Sequence, residues 1–359
     1  MKFNKISKRL AACSLAGVMM VSMLGMTAFA KTGATTNVTF TKTLNMSEAQ
    51  GASVPDVQFP YLITPGTAIP ATDDSPEILA GITGNEGKSP SIANVAFSHT
   101  DTVTDNKVVK TVTVNFAGVK WEKPGIYRYT ITELGSGNTD VTNDSTTTRT
   151  LDVYVVNDGN GGYKIASQAM IDGTGAPTTG GSYTEASKSD GFVNSYKTYQ
   201  LSLSKVVDGD MADKGKPYDF TINFEGPANA SFKMGDDTIT LDAEGKGSAN
   251  IELTNGNTKA IEGIPSTVKY TVVENINKKD GYTVSYKVNT KDVTSTVADA
   301  TVTAAQQEMG KADNAVVCTN YKVAVTPTGV AMTVAPYILM VAVAGIFAIL
   351  FLRRRNEEA

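Results

Sequence analysis

Six residues of three types recur in a fixed order along the chain: Lys42, Glu133 and Asn194, then Lys205, Glu274 and Asn320. An amine, a carboxyl and a carboxamide brought together away from water suit one reaction. The lysine Nζ attacks the asparagine Cγ, ammonia leaves, and an isopeptide bond joins the two side chains while the glutamate polarises the carbonyl and carries protons. Burial favours this chemistry, because it disfavours both charged forms, moving a lysine down from about 10.4 and a glutamic acid up from about 4.3. That leaves a neutral nucleophile beside a protonated acid. A carboxamide is a poor electrophile, so the fold must supply a near-attack geometry and the glutamate the activation.

Strand alternation is what would put these groups inside. In "NVTFTKTLN" (37–45), Val38, Phe40, Lys42 and Leu44 share one parity and Thr39, Thr41 and Thr43 the other. A single lysine so placed snorkels to water. "YQLSLSKVV" (199–207) repeats the pattern, however, with Leu201, Leu203 and Lys205 on one face. Glu133 ends the inward set Tyr127, Tyr129 and Ile131, and Glu274 ends the set Val268, Tyr270 and Val272. Asn194 shares parity with Phe192 and Tyr196, and Asn320 with Val316 and Cys318. A duplicated domain explains two copies of one ordered set.

The rest of the middle of the chain is consistent with an all-β fold. Short alternating runs such as "TVTVNF" (111–116), "LDVYVV" (151–156) and "YDFTINF" (218–224) are separated by Gly, Asn, Asp and Ser, the pattern of β-sandwiches. The nearest thing to a helical period is "TAAQQEMG" (303–310), which reads as one or two turns. "FVNSYKTYQLSLSKVV" (192–207) leaves little room for a linker, which predicts a boundary near Lys197 and domains stacked end to end. Residues 135–148 and 172–190 read as polar surface loops.

Several functions are disfavoured. A net charge of −4 with no long basic run argues against nucleic acid. His99 is the lone histidine, without a partner for metal or triad chemistry. Asp208, Asp210 and Asp213 lack the rest of a calcium loop, so no metal and no cofactor is expected. Trp121 and the tyrosines read as core. An enzyme in the ordinary sense is not expected.

The two ends predict export. Lys2, Lys5, Lys8 and Arg9 precede an apolar run, and "AFA" at 28–30 suits signal peptidase, with cleavage between Ala30 and Lys31. Cys13 would leave with that peptide, making Cys318 the single cysteine of the mature chain and an internal disulfide impossible. Val330 to Leu352 is uncharged and long enough to span a bilayer, and Arg353, Arg354 and Arg355 follow it. Directly before it stands "VTPTG", that is Val325, Thr326, Pro327, Thr328 and Gly329. This order resembles a sortase sorting signal, cut between Thr328 and Gly329. The commonest form has Leu-Pro two places earlier, whereas here Pro327 directly precedes Thr328, as in some pilin signals.

With "VNFAGVKWEKPGIYRYTITEL" (114–134), "FVNSY" (192–196), "LSLSKVVDGD" (201–210), "YTVVEN" (271–276) and "TNYK" (319–322), the chain resembles the sortase-assembled two-domain backbone pilins of Gram-positive bacteria. The resemblance implies two tandem Ig-like, Cna-B-type β-sandwich domains with Lys42–Asn194 and Lys205–Asn320 isopeptide bonds assisted by Glu133 and Glu274. Cys318 departs from the aromatic residue usual there. The expected organisation is a signal peptide over 1–30, domains over 31–197 and 198–324, the sorting motif over 325–329, a transmembrane segment over 330–352 and a basic cytoplasmic tail over 353–359. The expected role is a structural pilus subunit on the cell surface, joined through Thr328 to a lysine of the next copy. Its partners would be sortase, identical subunits, and accessory pilins or cell-wall peptidoglycan. Lys188 is the leading acceptor, with Lys164 and Lys197 as alternatives. A monomeric sortase-anchored wall adhesin is the second reading; it would share the fold and signal but lack an acceptor lysine.

Overall fold

The computed structural model describes residues 36–84, 90–175, 183, 187–324, 337 and 339–344. Ala30, Lys31, the motif 325–329 and most of the apolar segment after it lie outside the described residues. Among the described residues no helix is long and apolar enough to cross a membrane.

The first strand, Asn37–Glu48, buries Val38, Phe40, Lys42, Leu44 and Met46 in strict alternation. It can do so because it is central. Lys107–Asn115 pairs with it antiparallel on one side and Gly191–Lys197 parallel on the other, while Ser91–Ile92 and Val141–Thr142 complete the sheet. The opposing sheet runs Tyr163–Ile171, Thr148–Asn157, Gly125–Glu133, Tyr61–Pro65, with Ile78–Ala80 alongside Gly125–Glu133. Phe40, Val112, Tyr129, Ile131, Val153 and Phe192 are part of the core between them. Gly191 opens the last strand at φ +146, where a Cβ would fall 1.8 Å from the Thr41 carbonyl oxygen, so only glycine lets the two backbones meet one residue from Lys42.

The second half repeats this plan. Tyr199–Asp208 lies between Thr258–Ile264, antiparallel, and Asn314–Tyr321, parallel. The opposing sheet carries Lys269–Asn275 against Tyr218–Glu225. The chain is thus two tandem all-β domains. Each hydrophobic cluster lies wholly on one side of Thr198, which alone separates the strand ending at Lys197 from that beginning at Tyr199. Direct contacts close the joint. Ser231 N–H donates to Ser53 Oγ at 3.0 Å, Ser266 N–H to Asp140 Oδ2 at 2.8 Å, and Lys311 Nζ to the Thr139 carbonyl at 2.7 Å.

Three local expectations change. Residues 303–310 are extended: Val302–Ala304 and Gln307–Glu308 pair with Lys269–Asn275, because Val302, Ala304 and Met309 reach the core that way, and burial outweighs helix propensity. The segments 135–148 and 172–190 are more than surface loops. Asn143 and Asp144 turn in to Asn194, and Tyr183 is buried against Arg128 and Asp152. Arg128, on the expected polar parity of its strand, is buried because Asp152, its register partner on the neighbouring strand, takes it bidentately at 2.8 Å.

Candidate functional site

Lys42 and Asn194 sit on adjacent parallel strands, with Lys42 opposite Phe192 and Leu44 opposite Asn194. The two side chains are therefore inward-facing neighbours, offset by one inward position. Lys205 lies opposite Cys318 and Val207 opposite Asn320, the same offset in the other domain. Each glutamate comes from the opposing sheet, at or next to the end of its strand. All six side chains are buried, Glu133 being the most exposed at 3 %.

In the N-terminal domain Lys42 Nζ stands 2.5 Å from Asn194 Oδ1 and 2.6 Å from Glu133 Oε2. Tyr61, opposite Glu133 in the next strand, donates its hydroxyl to the same Oε2 at 3.0 Å. Oε1 of Glu133 is buried and has no hydrogen-bond partner among the described residues. Phe59 lies under the amine, its ring centroid 4.1 Å from Nζ. Burial pushes the Lys42 ammonium down to about 8, against the opposing pull of Glu133. Burial and then the Glu133 carboxylate push the Tyr61 hydroxyl up, so it stays a donor.

The C-terminal cluster is arranged differently. Glu274 Oε1 accepts from Lys205 Nζ at 2.8 Å and from Asn320 Nδ2 at 2.6 Å, so one oxygen touches both the nucleophile and the leaving nitrogen. Cys318 fills the place of Phe192. Its Sγ lies 3.5 Å from Lys205 Nζ and 3.6 Å from Glu274 Oε2. Burial pushes that thiol up, which keeps it protonated and unreactive. Tyr218 supplies the aromatic face, 4.5 Å from Lys205 Nζ.

Two buried amine–carboxyl–carboxamide clusters at one register call for relatives with the same device. A pilin of Streptococcus pyogenes serotype M1 is 27 % identical over 333 residues, spanning 89 % of this chain and 91 % of the relative. The chain is a pilin homologue. Residues 38–197 of this pilin homologue match the Spy0128-like isopeptide containing domain, and residues 199–309 match a domain of unknown function. Among solved structures, the major pilin of Streptococcus pyogenes superposes with a TM-score of 0.60 at 23 % identity, covering 82 % of the pilin homologue and 100 % of that chain. The major pilin T3.2 of Streptococcus pyogenes serotype GAS13637 gives 0.58 at 23 %, over 81 % and 100 %. At that identity the likeness is one of fold.

The alternation of the strands pointed to all six cluster residues. It did not reveal Tyr61, Asn143, Asp144 or Arg149, three of which come from the 135–148 turn or the strand that follows it. The one signal was the Asp144–x–Thr146 spacing, which makes an Asx turn, Thr146 N–H donating to Asp144 Oδ1 at 2.9 Å. Of the acceptor lysines, Lys188 is exposed and forms a bridge with Ile171, Lys164 is half-buried, and Lys197 is exposed and pairs with Glu48 at 3.1 Å.

Proposed function

We propose that this chain is the structural subunit of a pilus shaft, with domains over 31–197 and 198–324 each closed by a lysine–asparagine isopeptide bond. It is exported by the segment 1–30, held by the segment 330–352, cut by sortase between Thr328 and Gly329, and joined through Thr328 to the next copy. The observation that carries this reading is the duplicated cluster: the same three residue types, buried at the same strand offset, in both domains of a pilin homologue. In each bond Nζ attacks Cγ, and the Cγ–Nδ2 bond breaks. One proton travels from Nζ through the glutamate to Nδ2, which leaves as ammonia, and the glutamate is unchanged at the end. No cofactor is required.

Intact mass followed by peptide mapping tests this. The wild-type ectodomain should lack two ammonia molecules, and Glu133→Ala should restore one and release Lys42 and Asn194 as separate peptides. Closing a span of 152 residues is worth about 5 kcal/mol in the chain-entropy account of cross-links, so the variant's N-terminal domain should melt about 10–20 °C lower. A wild-type protein at full sequence mass ends the proposal.

The pH dependence of the first closure has a sign fixed by proton counting. The reactive pair, neutral Lys42 with protonated Glu133, holds the same number of protons as the ion pair, so the two are tautomers of one macroscopic state. That state loses its last proton as pH rises through about 8, where Lys42 deprotonates beside a charged carboxylate. Closure after dilution of unfolded chain from denaturant should therefore be level from neutral pH to about 8, then fall about tenfold per pH unit. A rate that keeps climbing through pH 9, as for a free amine, contradicts the shared-proton mechanism.

A further inference from the structure

Resting on the reading above, the geometry points to a third catalytic group in the N-terminal domain: the backbone N–H of Asp144 is an oxyanion donor to Asn194 Oδ1, and the C-terminal domain closes its bond without one. As Nζ attacks Cγ, the electron pair of the carbonyl moves onto Oδ1. It returns when Cγ–Nδ2 breaks. Asp144 N–H already reaches that oxygen at 3.2 Å. A donor slightly long in the resting state tightens as charge develops. The neighbouring residue fixes the rotamer, since Asn194 Nδ2 donates to Asn143 Oδ1 at 3.4 Å. Oδ1 therefore faces the amine and the N–H, and the nitrogen that must leave faces Asn143.

The turn is held to the strand it serves. Asp144 Oδ2 accepts from Val193 N–H at 2.8 Å, one residue before Asn194, and from Arg149 Nη2 at 2.9 Å. Its Oδ1 accepts from Thr146 N–H at 2.9 Å. Arg149 is buried, lies over the Phe192 ring at 4.8 Å and reaches Ser189 Oγ and Asp172 Oδ1 at 2.9 and 2.7 Å. These contacts leave the Asp144 N–H little freedom to point elsewhere. The Asp144 carboxylate and Arg149 are positioning groups; the N–H touches the reacting oxygen. In the other domain, among the described residues, no backbone N–H donates to Asn320 Oδ1, whose contact is Cys318 Sγ at 3.8 Å. There Glu274 holds Nδ2 instead.

The two bonds of one molecule give the test an internal clock. Full-length ectodomain is diluted from denaturant, quenched at intervals, and mapped for closure of each bond. Asp144→Pro, which removes the N–H together with the carboxylate clamp, should slow the Lys42–Asn194 bond by about 10²–10³-fold, well beyond the loss from the clamp alone, and leave the Lys205–Asn320 rate unchanged. Arg149→Gln, which keeps every backbone donor but loosens the clamp, should slow the first bond about tenfold and leave the second unchanged, and Arg149→Lys, which keeps a cation beside the Asp144 carboxylate, should recover part of that loss. Protease resistance of residues 38–197 checks folding; if the proline variant fails it, the Arg149→Gln and Arg149→Lys pair decides, with the second bond as internal reference. First-bond closure at the wild-type rate in Arg149→Gln overturns the assignment, as does equal slowing of both bonds. Failure of the wild-type chain to lose ammonia in either domain is a distinct result, which removes the isopeptide reading beneath it.

Discussion

Pulled between position 188 and the C-terminal end of the second domain, the Glu274→Ala protein should lengthen by about 400 Å in one step, whereas wild type and Glu133→Ala should not. The expectation follows from where the two proposed bonds lie relative to the chain path. Lys188, Asn194 and Lys197 are on one continuous stretch, and Thr198 leads straight into the strand carrying Lys205. Force entering at 188 therefore runs along this stretch to Lys205 without meeting the first bond. From Lys205 it has two routes to Asn320: through the isopeptide bond, or through the intervening chain of 115 residues (320 − 205). With the bond closed, that length is hidden. Without it, extension proceeds once the parallel pairing of Tyr199–Asp208 with Asn314–Tyr321 gives way. The proposed first bond would have a different task, which is to fasten Asn37–Glu48, a strand whose upstream end bears no load in this geometry. Single-molecule pulling through a Lys188→Cys attachment checks this, since Cys318 is buried and does not compete for the reagent. Equal lengthening in the Glu133→Ala and Glu274→Ala proteins contradicts the force path.

Strand periodicity carried the cluster because it acts through a short rule: alternate residues face opposite sides of their sheet, and a charged residue on the inward parity is conspicuous. Lys42 and Lys205 were legible for that reason, and the equal offsets Lys42–Phe192 and Lys205–Cys318 follow from the same repeat. The partners that orient the cluster obey no such rule. Tyr61 reaches Glu133 because two strands distant in sequence share a register, and Asp144 reaches Asn194 because a turn folds back over an edge. Neither leaves a period in the sequence. Arg128 shows the converse failure, a residue on the polar parity that is buried because a partner on the next strand and Tyr183 cover it. At 303–310 the local composition suggested helix, and the core's demand for Val302, Ala304 and Met309 prevailed. What was legible was the strand interior; what was not was every contact made through a turn, a register or a neighbouring sheet edge.

Lys188→Ala should collapse the high-molecular-weight pilus ladder to monomer, and peptide mapping of native fibres should find Thr328 joined to Lys188. The direction of the strands supports this choice. Asn37–Glu48 and Gly191–Lys197 are parallel, and both end at the joint, where Thr198 N–H donates to the Glu48 carbonyl at 3.0 Å and Ser53 N–H to the Ser231 carbonyl at 2.9 Å. Lys188, three residues before Gly191, therefore lies toward the end of its domain remote from the joint. In the second domain Tyr199–Asp208 and Asn314–Tyr321 are also parallel and begin at the joint, where Gln200 N–H donates to Asp313 Oδ1 at 2.8 Å. Tyr321 is consequently at the opposite remote end, and the proposed sorting motif, residues 325–329, follows shortly after it in the sequence. A bond from Thr328 of one copy to Lys188 of the next joins opposite ends, so copies continue along one axis. Lys197 fails this requirement because it sits at the joint against Glu48, where a linked subunit would branch from the middle. Lys164 is half-buried along a strand edge and offers the transpeptidase less of its amine. The single substitution separates the candidates: an unchanged ladder in Lys188→Ala fibres, with Thr328 mapped to Lys164 or Lys197, would show that remoteness from the joint does not govern which amine is used.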